Sequence, residues 1–145
     1  MKALKAFSDN DRARIKEAVG RAERMTSGEI RVFVEDQTSD SPLDRAAFVF
    51  NQLGMDKTAA RNGVLIYLAF VDKKFAVIGD SGIHKKVGDD FWDEIRAAMH
   101  HHFTQGKLTD GIVGAIEAAG NALATYFPFQ KSDVNELPDD MVFGK

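Results

Sequence analysis

The feature that most constrains this chain is a pair of short apolar segments separated by a polar turn. Residues 64–71 are almost all apolar, residues 75–78 form a second apolar segment, and the turn between them is Asp72-Lys73-Lys74. Two segments of this length across a short turn are typical of a β-hairpin whose strands are buried on both faces. Both are too short to cross a bilayer. The sequence therefore predicts a hairpin at the centre of the fold.

Four helices and one further strand are predicted around the hairpin. Apolar residues recur at helical spacing in residues 8–25, 41–54, 89–106 and 109–126. Ser8 and Ser41 suit the N-cap of the first two helices, and a glycine follows the second and third. Residues 29–35 alternate between apolar and polar side chains, which predicts a strand.

This order of elements defines a fold class. Strand, helix and strand in sequence predict a parallel pair with a right-handed crossover, and the hairpin adds an antiparallel strand. We expect an α/β protein, a three-layer α/β/α sandwich with a small mixed sheet and helices on both faces. Residues 1–130 are predicted to be a single domain, and residues 131–145 an acidic, loosely held tail.

Composition and charge exclude several classes of function. The 145 residues are 44% hydrophobic and 28% charged, with a formal net charge of −3 and no cysteine. Without a basic surface we expect no nucleic-acid partner, and without cysteine there is no thiolate metal site. No apolar stretch reaches the roughly 18 residues of a membrane helix, and the N-terminus does not read as a signal peptide. We therefore expect no membrane insertion and a cytoplasmic location.

The predicted topology gathers polar residues at one rim of the sheet, where two strands start and the third ends. The acidic members of this rim are Glu29, Asp80, Asp89 and Asp90, and the other polar members are Arg61, Asn62 and His84. Carboxylates crowded together repel one another unless a cation lies between them. Ca²⁺ and Mg²⁺ take oxygen ligands of this kind, and nearby glycines let the backbone approach a ligand. The four acids are therefore candidate ligands for Ca²⁺ or Mg²⁺.

Each of these residues also has a purely structural interpretation. Asp89 and Asp90 suit helix caps, and Asp80 suits a turn after a strand. Glu29 suits a solvated strand position with Arg61 as its exposed partner, and a single loop histidine such as His84 is commonly a surface residue. Taken one at a time, the acids are more often structural than functional, so the metal hypothesis depends on their convergence.

At these motifs the chain resembles a known family. The residues that carry the resemblance are Thr26-Ser27-Gly28-Glu29-Ile30-Arg31-Val32, Arg61-Asn62-Gly63-Val64-Leu65-Ile66-Tyr67, Phe75-Ala76-Val77-Ile78-Gly79-Asp80-x-Gly82-Ile83 and Val87-Gly88-x-Asp90-Phe91-Trp92. They resemble the TPM domain, a module shared by a thylakoid-lumen photosystem II repair protein and many bacterial proteins. The resemblance extends over residues 8–128.

The resemblance implies an α/β/α sandwich, a divalent-cation site among loop acids, and the phosphatase activity proposed for some members. It maps the acidic cluster of the family onto Glu29, Asp80 and Asp90, with Asp89 beside them, and the polar entry to the second strand onto Arg61 and Asn62. We therefore expect a cation-binding module for assembly, repair or a protein partner. The alternative is a metal-dependent phosphomonoester hydrolase in which Arg61 holds the phosphate. A single arginine among several acids favours the binding module, and a third hypothesis is an interaction domain whose acids are only caps.

Overall fold

The computed structural model describes residues 1–130 and 139–144, which form a four-stranded sheet and the helices around it. The helices are α1 (Lys2–Ala6), α2 (Asp9–Glu23), α3 (Pro42–Gln52), α4 (Ser81–Val87), α5 (Asp89–Thr104) and α6 (Leu108–Tyr126). The strands are β1 (Glu29–Glu35), β2 (Gly63–Ala69), β3 (Lys74–Gly79) and β4 (Val142–Phe143), and a single 3₁₀ turn spans Met55–Lys57.

The sheet is mixed and has the order β3-β2-β1-β4. β1 and β2 are parallel, with Glu29 opposite Gly63 and Glu35 opposite Ala69. β2 and β3 are antiparallel, with Val64 opposite Gly79. The parallel crossover through α3 and the hairpin are therefore both confirmed. The expected burial holds for all of β2, but in β3 only Ala76 and Val77 are buried.

Local sequence signals explain where the main helices begin and end. Ser8 and Asp11 form a reciprocal capping box at the start of α2. The Ser41 hydroxyl accepts a hydrogen bond from the Asp44 N–H at the start of α3, and a proline occupies the first helical position. Gly54 ends this segment with φ of 73°, a left-handed conformation that favours glycine.

The two faces of the sheet are covered by different helices, which gives the three predicted layers. On one face, α3 covers a core that includes Phe33, Leu65 and Tyr67. On the other face, α2, α5 and α6 cover a larger core that includes Ile30 and Ile66. β1 and β2 are buried along their whole length, because helices cover both of their faces.

Two of the α-helices and one strand were not predicted from the sequence. α1 and α4 have only five and seven residues, too few for an apolar repeat to be recognised. Asp80 was expected in a turn and His84 in a loop, but α4 begins at Ser81 and includes His84. The third element is β4, whose two residues pair with Phe33 and Val34 of β1.

The predicted tail, residues 131–145, lies largely outside the described residues. Its positions 139–144 are described, and they place β4 beside β1. Within the part of the chain that the structure describes, no helix combines the length and the apolar character needed to cross a bilayer.

Candidate functional site

The backbone places the predicted rim at one end of the sheet. Glu29 lies opposite Gly63, and the Asp80 N–H donates a 2.9 Å hydrogen bond to the Gly63 carbonyl. Glu29 and Asp80 therefore flank the same residue of the central strand, two strand spacings or about 10 Å apart along the rim. The side chains of the two acids have different partners.

The Asp80 carboxylate is held by the protein itself. Its side chain is 7% exposed and accepts two hydrogen bonds from Arg61, 2.7 Å from Nε and 2.9 Å from Nη2. The same carboxylate accepts a 2.7 Å hydrogen bond from the Ser81 N–H and so caps α4. The hydrogen bonds between Arg61 and Asp80 and the negative charge of Asp80 raise the pKa of Arg61. Asp80, which the sequence placed in a turn after a strand, thus combines a helix-cap role with an ion pair.

The loop that carries Arg61 is tightly packed against α4. Arg61 has φ of 52°, a left-handed conformation uncommon for residues other than glycine. Its carbonyl accepts a 2.8 Å hydrogen bond from the Gly82 N–H. A Cβ at Gly82 would lie 2.6 Å from that carbonyl oxygen and would also overlap the Ala60 carbonyl. The second glycine of the Gly79-Asp80-Ser81-Gly82 segment therefore brings α4 against this loop.

The first glycine of that segment also contacts the protein rather than a ligand. A Cβ at Gly79 would overlap the ring of Trp92 and lie 2.9 Å from Ile83 Cγ2. Trp92 is 7% exposed, so its indole packs on the end of β3 where this glycine leaves room. At both positions the absence of a side chain makes room for packing within the protein, whereas the sequence-based interpretation was that the glycines let a ligand approach the backbone.

Glu29 lies in a separate, buried group of charged side chains. It is 3% exposed and interacts with Glu23, which also faces Asp139 and Arg31. Glu23 Oε2 accepts a 2.8 Å hydrogen bond from the Ile30 N–H. Burial raises the pKa of Glu23, and hydrogen bonding with Asp139 and Glu29 raises it further. Burial lowers the pKa of Arg31, against the effect of the three carboxylates. Glu29 therefore belongs to a cluster that ties the end of α2 to the segment before β4.

His84 contacts both Trp92 and Asp89 on the other side of the rim. Trp92 Nε1 donates a 3.0 Å hydrogen bond to His84 Nδ1. Because indole N–H is only a donor, Nδ1 accepts and the ring proton lies on Nε2. That nitrogen is 3.3 Å from Asp89 Oδ1, and the Asp89 side chain is 88% exposed. Asp90 is exposed in the first turn of α5, beside the dipole of the helix.

Asn62 is buried behind the rim. Its side-chain Nδ2 donates to Ser27 Oγ at 3.4 Å, and its N–H donates to Thr58 Oγ1 at 3.3 Å. It is 2% exposed, so it joins the starts of β1 and β2 rather than facing solvent.

Two adjoining cavities open beside Ile78 and Gly79. The smaller, about 160 Å³, is lined by the side of α3 and by Asp56, Arg61 and Asp80. The larger, about 420 Å³, is lined by His84, Asp89 and Trp92 together with β3 and the start of α3. Asp80 and Asp89 thus line neighbouring cavities, and the lining of neither includes Glu29.

Asp56 is a rim residue that the sequence-based reasoning missed. It lies in the 3₁₀ turn before β2, and its Oδ1 is inaccessible to solvent with no hydrogen-bond partner among the described residues. Its negative charge contributes to the raised pKa of Arg61, after the larger effect of Asp80. In sequence it stands in a polar connection with no repeat or motif, so only the fold reveals its position.

The structure brings together fewer metal-ligating side chains than the sequence predicted. In the described ranges, 1–130 and 139–144, no three His, Cys, Asp or Glu side chains are grouped so that they could hold one metal ion. Asp80 and Asp56 share a cavity with the amide side chain of Asn51. Asp89 and Asp90 lie at the adjacent start of α5, and Glu29 is in the buried cluster.

Comparisons with known proteins identify the family of the chain and show that its fold occurs in solved structures. The sequence model of the TPM domain matches residues 2–122. The NMR structure of BA42 protein from the psychrophilic bacterium Bizionia argentinensis is 46% identical, with a TM-score of 0.88 over 95% of each chain. The N-terminal domain of cg2496 protein from Corynebacterium glutamicum is 14% identical, with a TM-score of 0.65 over 88% of this chain and 80% of that one, and shares the fold. No curated protein gave a significant match.

Proposed function

Because the chain belongs to the TPM domain family, we propose that it is a divalent-cation-binding module that serves a protein partner. Asp56 and Asp80 hold the cation in the small cavity beside α3. Ca²⁺ and Mg²⁺ are the candidate ions, because the donors in this cavity are oxygens and the chain has no cysteine.

The observation that carries this proposal is the buried Oδ1 of Asp56. A sequestered carboxylate oxygen without a hydrogen-bond partner in the described chain is energetically unfavourable, and a bound cation removes that cost. Asp80 offers a second carboxylate in the same cavity, and the Asn51 side chain offers an amide oxygen. Calcium completes its shell of six to eight oxygens with backbone carbonyls and water.

The charges around the cavity support a cation rather than an anion. Among the described residues, Arg61 is the single positively charged one that lines the cavity, together with the carboxylates of Asp56 and Asp80. Asp89 and Asp90 add negative potential from the neighbouring start of α5. The excess of negative charge favours a doubly charged ion.

The proposed site is a weak one. Two carboxylates are few for a calcium site, and Arg61 competes for one of them. We therefore expect a Kd of roughly 10⁻⁴ to 10⁻³ M, the range of sites with few charged ligands.

Amide NMR during titration with CaCl₂ or MgCl₂ tests the proposal. We expect saturable shifts at Asn51, Asp56 and Asp80, and about a tenfold loss of affinity in Asp56→Asn. Glu117→Gln removes an exposed carboxylate on α6 and is the matched control, with unchanged affinity. Shifts confined to Asp36 and Asp72 at the opposite rim, or equal affinity in Asp56→Asn, would contradict the proposal.

A metal-dependent phosphomonoester hydrolase has less support. Such an enzyme needs a positive group free to hold the phosphate, and two hydrogen bonds commit Arg61 to Asp80. We expect no metal-dependent hydrolysis of a generic phosphomonoester such as p-nitrophenyl phosphate. Turnover that depends on Mg²⁺ and disappears in Asp80→Asn would favour the hydrolase instead.

A further inference from the structure

The outer edge of β3 presents backbone groups that no strand of the described chain pairs with. β3 is at the end of the sheet order, so one of its edges faces away from β2. The Asp80 N–H donates a hydrogen bond to the Gly63 carbonyl, and this fixes which residues of β3 hydrogen-bond to β2 and which point away from it. Because every second residue of an antiparallel strand hydrogen-bonds to its neighbour, the backbone of Ile78 hydrogen-bonds to β2. The backbone N–H and carbonyl groups of Val77 and Gly79 therefore point outward. Free edges of this kind accept another strand.

The larger cavity lies along this edge, between two helices. Leu43 at the start of α3 forms one wall, and Trp92 and Asp93 of α5 belong to the other. Val77 is 2% exposed, whereas Gly79 is partly exposed and has no side chain, so its exposure is that of its backbone. An incoming chain therefore meets the edge first at Gly79.

We propose that this cavity, the β3 groove, binds an extended peptide segment of a partner protein in which basic and apolar residues alternate. The peptide adds to β3 as a further strand by pairing with the backbone of Gly79. Its basic side chains face α5, and its apolar side chains face Leu43 and Ile78.

The alternation follows from the chemistry of the two walls. The α3 wall offers Leu43, which is 49% exposed and apolar. The α5 wall offers Asp89 and Asp93, whose side chains are 88% and 58% exposed. Successive side chains of a strand point to opposite sides, so one wall contacts every second residue of the peptide.

The spacing of the acids also fits a strand. α5 runs alongside β3. The Trp92 ring packs against Gly79 at one end of β3, and Phe103 packs edge-on against Phe75 near the other end of the strand. Asp89 and Asp93 are four residues apart, a rise of about 6 Å along the helix. Alternate residues of a strand are about 6.7 Å apart, so two basic side chains match the two carboxylates.

A single chain fits this edge better than a second copy of the protein. α3 and α5 flank the groove on both sides, and the edge of another copy would carry the same two helices. Those helices would collide before the strands came within the roughly 4.8 Å needed for pairing.

Substitution of Arg96 distinguishes loss of a specific peptide contact from general damage to the fold. It forms an ion pair with Asp93 in the groove and so competes with a basic peptide for that carboxylate. Replacing Arg96 with glutamine should therefore tighten binding, which general damage to the fold would not do. Replacing Asp89, whose side chain is 88% exposed, with asparagine should weaken binding about threefold.

The test uses the full chain in EDTA, which separates it from cation binding, and the peptide Ac-Lys-Val-Lys-Val-Lys-NH₂. We expect amide shifts at Val77 and Gly79 and slowed hydrogen exchange of Gly79. A peptide of the same composition in the order Lys-Lys-Val-Val-Lys, and an alternating peptide with N-methylated pairing amides, should bind at least about tenfold more weakly. Glu94→Gln, on the opposite side of α5, is the charge-matched control and should bind normally.

Three results would overturn the inference. Equal binding of the N-methylated peptide would show that backbone pairing is not involved. Shifts confined to exposed acids of α5 would reduce the effect to general charge attraction. A concentration-dependent dimer that protects Gly79 without peptide would assign the edge to a second copy.

Discussion

Asp80 makes two kinds of contact, and their relative contributions to stability can be separated by substitution. The carboxylate caps α4 through the Ser81 N–H and pairs with Arg61. Loss of an N-cap acceptor costs about 1 kcal/mol. The Arg61 side chain is 52% exposed, so solvent screens the ion pair and it adds little. We therefore expect Asp80→Ala to lower the free energy of unfolding by about 1 kcal/mol, most of it from the lost cap.

Asp80→Asn isolates the cap, because asparagine keeps an oxygen that can accept from the Ser81 N–H but loses the charge. It should stay close to the wild type, and Arg61→Ala should also change stability less than Asp80→Ala does. Urea unfolding followed by far-UV circular dichroism measures all three, with Glu117→Gln as a surface-charge control. If Asp80→Asn loses as much stability as Asp80→Ala, the ion pair dominates and the reasoning is wrong.

Three further predictions concern the surroundings of the rim. Gly79→Ala should destabilise by roughly 1–2 kcal/mol, because the new methyl group overlaps Trp92, and the indole fluorescence should shift; an unchanged spectrum and stability would contradict this packing. The pKa of Glu23 is raised in the folded protein, so the wild type loses stability as pH rises above about 4.5. Because glutamine cannot ionise, Glu23→Gln should raise the free energy of unfolding at pH 7 by on the order of 1 kcal/mol. At pH 4 the substitution should leave the free energy of unfolding unchanged. Burial disfavours ionisation of Glu35, but hydrogen bonds from Arg45 and Tyr67 outweigh this effect and lower the pKa of Glu35. The ionised carboxylate therefore stabilises the fold above about pH 4.5, and this stabilisation is lost as pH falls through the lower pKa of the folded protein. Urea unfolding at different pH values should show that Glu35→Gln lacks this loss of stability in acid.

The sequence was sufficient to predict β1, β2 and β3 and their pairing, because the signals for these strands are local or follow from chain direction. The apolar segments around Asp72 predict the hairpin, and the helix between β1 and β2 predicts their parallel pairing. The position of Glu29 and Asp80 at a common rim follows from that topology and is confirmed for the backbone.

The side-chain contacts of the rim residues could not be predicted from local sequence signals or chain direction. Glu29 points to the buried group around Glu23, which also includes Asp139 from a segment far along the chain. Asp56 approaches Arg61 only because the turn before β2 folds back under α3. Such placements depend on the packing of segments distant in sequence, and no periodicity or motif records them.

The central claim, that Asp56 and Asp80 bind a divalent cation, is tested most directly at the carboxylates themselves. The side-chain ¹³Cγ resonances of both aspartates can be followed as Ca²⁺ is added. The account predicts that these two resonances move together with one apparent Kd while those of Asp89 and Asp110 move little. Unchanged Asp56 and Asp80 resonances at saturating Ca²⁺ would contradict it.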